Sequence, residues 1–131
     1  MTPYVRKIIK PWGYELIFTP KDSPVVGKII HIIKAARLSY QYHDTKRETL
    51  CLITGQADLI INGQEIQMEP KKGYDIKPMT KHRLIGLTDC DIVEASTKEE
   101  GNTIRLEDDY QRPTETPALR NSPNRGWKGN K

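Results

Sequence analysis

Gln41 and His43 stand two positions apart in the stretch S-Y-Q-Y-H-D-T-K-R-E-T-L, and Glu48 follows His43 by five. On a β-strand a spacing of two places both side chains on one face. His82 lies far downstream in a separate apolar segment, G-Y-D-I-K-P-M-T-K-H-R-L-I. One amide, two imidazoles and one carboxylate converging from two strand-like segments make a donor set for one divalent ion per chain, with Zn, Mn, Fe, Co and Ni all compatible. Gln binds metal more weakly than His, so the set suits an ion that polarises an oxygen better than it suits a closed structural site. A carboxylate that opens an apolar strand, as Glu48 does, is costly to bury without a partner, and a cation supplies one. His31 has no partner at ligand spacing and reads as a packed or hydrogen-bonded strand histidine.

The elements around these residues are short strands. Residues 14–18 (Y-E-L-I-F) follow an extended arm, and 19–26 is broken by Pro20 and Pro24 into a loop. Residues 28–34 (K-I-I-H-I-I-K) put Ile29, His31 and Ile33 on one face and Ile30 and Ile32 on the other, a strand with two apolar faces. Residues 48–54 form the next strand. Asn62-Gly63, between the apolar runs 57–61 and 64–68, is a strong hairpin signal because both turn positions favour positive φ. Segments 74–77 and 83–87 bracket His82, and 92–96 is a late strand. Regular short strands with turns between them predict an all-β antiparallel sandwich or barrel.

One domain is expected from 131 residues, with enough chain for a sizeable core. No apolar run approaches the ~18 residues of a membrane helix, and the first ten residues lack a secretory apolar stretch. Cys51 and Cys90 are too few for a disulfide framework, so a cytoplasmic protein is expected. Of the +4 net charge, residues 113–131 hold +3, through Arg120, Arg125, Lys128 and Lys131 against Glu115. No basic stripe with interleaved aromatics argues for nucleic acid. Rich in Pro, Asn, Gly and Ser, 113–131 reads as a flexible basic tail after a domain spanning 1–112.

The first spacing resembles the cupin signature, in which Gly, His-x-His, Glu and Gly recur at fixed intervals. Ala35 takes the first Gly place, Gln41 the first His, and His43, Glu48 and Gly55 the rest. Residues 73–86 resemble the second cupin motif, with Lys77 in a Pro place, Met79 in a Gly place and Gly86 in an Asn place. More specifically, K-P-W-G at 10–13, R-L-S-Y-Q-Y-H at 37–43, K-H-R-L at 81–84 and R-L-E-D-D-Y-Q-R at 105–112 resemble the cupin domain of type II mannose-6-phosphate isomerases. In that family the domain usually ends a longer chain carrying a guanylyltransferase.

The resemblance implies a single antiparallel β-barrel of the double-stranded β-helix (jelly-roll) type. It implies a metal held by Gln41, His43, Glu48 and His82. It also implies aldose–ketose isomerisation of a sugar phosphate, with Glu94 matching the family's late-strand Glu as the proton-moving base. Arg112, closing the E-D-D-Y-x-R match, and Lys28, on the strand before the first motif, would hold the phosphate. Two alternatives stand beside it: a non-catalytic cupin that binds a sugar or sugar nucleotide, and an Fe-dependent dioxygenase of a small molecule. A homodimer is expected, on the argument that apolar strand faces such as Ile30 and Ile32 gain by being covered.

Overall fold

A computed structural model describes residues 3–129 of the chain. Among them run eleven strands: β1 (Arg6–Lys10), β2 (Gly13–Ile17), β3 (Val25–Ile32), β4 (Tyr40–His43), β5 (Glu48–Thr54), β6 (Ala57–Ile61), β7 (Gln64–Gln67), β8 (Gly73–Ile76), β9 (His82–Gly86), β10 (Cys90–Thr97) and β11 (Thr103–Glu107). Every pairing is antiparallel. The ladders form two sheets, ordered β1-β2-β3-β10-β5-β8 and β11-β4-β9-β6-β7. The antiparallel all-β expectation holds, but the hydrogen bonding runs in two sheets rather than around one closed barrel. A short helix, α1 (Pro117–Arg120), and a 3-10 turn (Pro123–Gly126) follow. No described helix is long and apolar enough to cross a membrane.

Alternation along the strands sets the core. Ile30 and Ile32 of β3, Leu50 and Leu52 of β5 and Ile92 of β10 point inward and meet Leu59 of β6 and Leu84 of β9, with Trp12 among them. This corrects the expectation behind the homodimer, because Ile30 and Ile32 lie in the core. On the outer face of the six-stranded sheet, Leu16, Ile29 and Val93 are in cross-strand register and half-buried. The expected arm is itself a strand: β1 pairs with β2 across Pro11-Trp12. Asn62-Gly63 closes the β6–β7 hairpin with φ of 50° and 79°.

Two departures from the cupin motifs keep the backbone the motif demands. Ala35 and Met79 occupy Gly places and adopt φ of 68° and 67°. The Met79 turn matters to the site, since its N–H donates to the His43 carbonyl at 2.7 Å, next to the entry of β9. A left-handed L-residue costs ~1–2 kcal/mol, of which Gly's larger unfolded-state entropy gives back ~0.5–1 kcal/mol. Ala35→Gly and Met79→Gly should therefore each stabilise the protein by ~0.5–1 kcal/mol, raising the thermal midpoint. An unchanged or lower midpoint would mean that these turns hold no strain.

By composition 113–131 reads as flexible, but its described part, 113–129, packs on the sheets. Glu115 pairs its backbone with Thr103 in both directions, at 2.9 and 3.0 Å. Thr116 caps α1 through the Leu119 N–H. Asn124 accepts from the Ile9 N–H at 3.1 Å, and Trp127 meets the Tyr110 ring edge-on. Glu115 and Arg125 of this segment are buried and paired with each other at 3.1 Å.

Candidate metal centre

His43 closes β4, Glu48 opens β5 and His82 opens β9, so three strand ends deliver the three side chains to one point. Their ligand atoms all lie within 4.8 Å of one another. Glu48 Oε1 is 3.0 Å from His82 Nε2 and 3.4 Å from His43 Nε2. All three residues are buried, Glu48 to 3% exposure.

The outer nitrogens of both rings are held. His43 Nδ1 meets Thr103 Oγ1 at 2.8 Å, and His82 Nδ1 meets the Thr80 carbonyl at 2.8 Å. A carbonyl only accepts, so His82 Nδ1 carries the hydrogen and the Nε2 of a neutral ring presents a lone pair. Both Nε2 atoms are buried without a hydrogen-bond partner among the described residues. Lone pairs aimed at a carboxylate oxygen repel unless a cation stands between them, so the three residues fit a divalent ion. The protonation states agree with this reading. Burial, with Lys46 nearby, lowers the His43 pKa to about 4, which keeps the ring neutral. Burial works against ionising Glu48, yet the Lys46 ammonium beside it holds it well below the usual carboxylate range.

Gln41, the fourth expected ligand, stands cross-strand from His82 and lines the same cavity. Its Oε1 already accepts from Ser39 Oγ at 2.6 Å. His31 lies elsewhere, stacked on Tyr14 with Nδ1 2.8 Å from Asp91.

Glu94, on the inner face of β10, shares the cavity. Burial pushes its carboxyl up to about 7, against the pull of Lys46 and with ionised Glu48 adding to the rise. Lys46 Nζ bridges the two acids, 3.3 Å from Glu48 Oε2 and 3.2 Å from Glu94 Oε2. Lys28, expected to hold phosphate, is committed to protein: it faces Glu99 at 3.2 Å, Glu15 at 3.5 Å and Glu94 at 3.9 Å. Arg112 also lines the cavity. Asp108 clamps it with two bonds of 2.9 Å, to Nε and Nη2, and Nη1 keeps no hydrogen-bond partner among the described residues.

Reading the sequence missed Lys46, Thr103, Glu15, Glu99, Arg105, Glu115 and Arg125. Lys46 sits in a polar turn that looks like ordinary surface. Alternation could have flagged Glu15, a carboxylate at an inward position between Gly13 and Ile17. The cavity they line has an open volume of only about 50 Å³.

No protein-family model matches the chain, and no curated protein matches it. Solved structures do. KdgF from Halomonas sp. superposes with a TM-score of 0.64 at 13% identity, covering 70% of this chain and 85% of that one. A cupin superfamily protein from Desulfitobacterium hafniense gives 0.58 at 12%, covering 65% and 76%. The fold is that of the cupins. Pac13, a nucleoside dehydratase of Streptomyces, has the same arrangement at a TM-score of 0.67 and 10% identity, covering 86% of this chain and 98% of that one. At such identities the likeness concerns the cupin fold alone; the three convergent side chains are this chain's own evidence for a metal.

Proposed function

We propose that this cupin is a metal-dependent isomerase that interconverts an aldose phosphate and a ketose phosphate, with mannose 6-phosphate and fructose 6-phosphate the first pair to test. The observation that carries the reading is one cavity holding the His43–Glu48–His82 cluster, a second buried acid in Glu94 and a partly free guanidinium in Arg112. The motif resemblance supports the substrate class. A divalent ion held by His43, Glu48 and His82, with Gln41 beside it, supplies Lewis acidity when bound.

The chain's own residues do the rest. Glu94 takes the proton from the carbon next to the carbonyl and returns it to the neighbouring carbon. A hydroxyl proton passes to the former carbonyl oxygen, and the net change is isomerisation. Lys46, bonded to Glu94 Oε2, orients the carboxylate. Arg112, fixed by Asp108, offers Nη1 to the phosphate. Leu38, Gln41, Arg105 and Arg112, lining residues that keep partial exposure, mark the mouth through which a sugar phosphate enters, and they must move because the cavity is narrow.

Glu94→Gln should lower kcat by ~10²–10⁴-fold with KM little changed. Arg112→Ala should chiefly raise KM, because the phosphate is held equally in ground and transition states. A metal-loaded protein that binds both sugar phosphates and interconverts neither would end the isomerase reading.

One observation favours a second reading. Two imidazoles and one carboxylate are also the donor set of non-haem Fe(II) oxygenases, and a 50 Å³ cavity suits a small substrate. Oxygen consumption by the Fe-loaded protein separates the two readings.

A further inference from the structure

A second cavity, of about 460 Å³, opens between β1, the loop after β2, the end of β10 and the C-terminal segment. Among the described residues six cations line it: Arg6, Lys7, Lys21, Lys98, Arg120 and Arg125. One carboxylate, Glu99, faces them, and it is already taken. Arg125 holds both its oxygens at 2.8 Å, and Lys28 stands 3.2 Å from Oε1 on the far side. Arg120 is likewise spent, on Glu115 and on the Glu99 and Gly101 carbonyls. The other four cations differ. Lys7 stands over the Tyr14 ring at 4.5 Å, whereas Arg6 and Lys21 join no ion pair among the described residues, and Arg6 Nε is buried with no hydrogen-bond partner. Lys98 reaches only Glu100, at 4.0 Å and largely exposed to solvent.

A buried N–H of a charged guanidinium is costly to leave unpaired, and several uncompensated cations around one cavity raise its potential for anions. The neutral lining adds Thr19, Ser23, Asn121 and Ser122, which can donate to phosphate oxygens. Among the described residues no aromatic side chain lines the cavity, so these offer no surface on which a base could stack, and single-stranded nucleic acid does not suit it.

We infer that this groove is an anion site, separate from the metal centre, for a compact ligand bearing two linked phosphates. Arg6 and Lys21 grip the phosphates, and Lys98 closes the far side. Its volume lies in the range of small-molecule sites. The site stands whether or not the metal centre is catalytic. The linked phosphates could come as free diphosphate or as the diphosphate of a larger molecule, and titration with inorganic diphosphate, a nucleoside diphosphate and orthophosphate distinguishes them.

The test is calorimetric titration of the full chain. Inorganic diphosphate should bind at one site, more tightly than orthophosphate and more weakly as salt rises. A nucleoside diphosphate that binds no better than diphosphate assigns the site to the phosphates alone, and one that binds better assigns it to a larger ligand. Arg6→Ala and Lys21→Glu should each weaken binding at least tenfold. Lys21 lies in an exposed loop, so Lys21→Glu leaves the fold intact and keeps the test decisive even if Arg6→Ala does not. His82→Ala, at the metal centre and outside the lining of this cavity, should leave diphosphate binding unchanged. Failure of diphosphate to bind overturns the inference. So does binding that survives Lys21→Glu, or binding lost in His82→Ala.

Discussion

Purified protein should carry about one divalent ion per chain, and His82→Ala or His43→Ala should each strip it by tenfold or more, while His31→Ala keeps it. The expectation rests on geometry. Each ring offers a buried Nε2 with no hydrogen-bond partner among the described residues, and both point at Glu48 Oε1. Alanine at either position removes one of three donors, and the remaining two cannot enclose the ion. His31 cannot substitute, since it lies on the opposite face of β3 from Ile30 and Ile32 and is engaged by Asp91 and Tyr14. Glu48→Gln should keep the shape while losing the charge that balances the ion, so occupancy falls with the fold intact. Thr103→Val is the finer probe. It removes the partner of His43 Nδ1, and losses of this kind typically cost ~10–100-fold in metal affinity. Elemental analysis after dialysis reads all five variants. Full occupancy in His82→Ala, or an ion lost equally from His31→Ala, would refute the assignment.

How far the sequence reaches can be judged on single residues. His43, Glu48 and His82 are legible because strand spacing and motif distance both act locally, and each stands at a strand end where an apolar run begins or stops. Asn62-Gly63 is legible because the two residues share one backbone requirement. Ala35 and Met79 show the opposite: the side chains depart from the motif, yet the turns keep the left-handed backbone, because the surrounding ladders impose it. The charge cluster is not legible. Glu15, Lys28, Glu94, Glu99, Glu115 and Arg125 come from three strands (β2, β3 and β10), the loop after β10 and the C-terminal segment, and pairing across such separations leaves no period in the chain. For the same reason, 113–129 looks loose by composition although two buried ionic residues anchor it. Exposure of Ile30 and Ile32 could not be decided from a strand with two apolar faces, since alternation does not say which face meets the second sheet.

Lys28→Met should be among the most destabilising single substitutions, lowering stability by ~3–5 kcal/mol, a large part of the ~5–15 kcal/mol that holds a domain together. Lys28 is 2% exposed and opposes Glu94 across the β3–β10 ladder. Three buried carboxylates converge on its ammonium, and Met fills the same space without a charge. Glu15, Glu94 and Glu99 would then share Lys10, Lys46 and Arg125 as counter-charges, fewer cations for the same acids. The pH dependence identifies the cause. Burial opposes ionisation of Glu15, but Lys28, Lys10 and Arg125 together outweigh it and bring the folded-state pKa from 4.5 to about 2. A carboxylate with a depressed folded pKa contributes stability that is complete above its unfolded pKa and is lost as pH falls through the folded one. The Glu15 part of the cost of Lys28→Met should thus be complete at neutral pH and shrink between about 4.5 and about 2, as Glu15 protonates and needs no counter-charge. Glu99→Gln in the Lys28→Met background should restore part of the loss, because it removes one of the stranded charges. Urea denaturation of the four proteins in the cycle, at pH 7 and at pH 3, measures both effects. A cost independent of pH, with no coupling between Lys28 and Glu99, would show that Lys28 acts by packing its alkyl stem rather than by its charge.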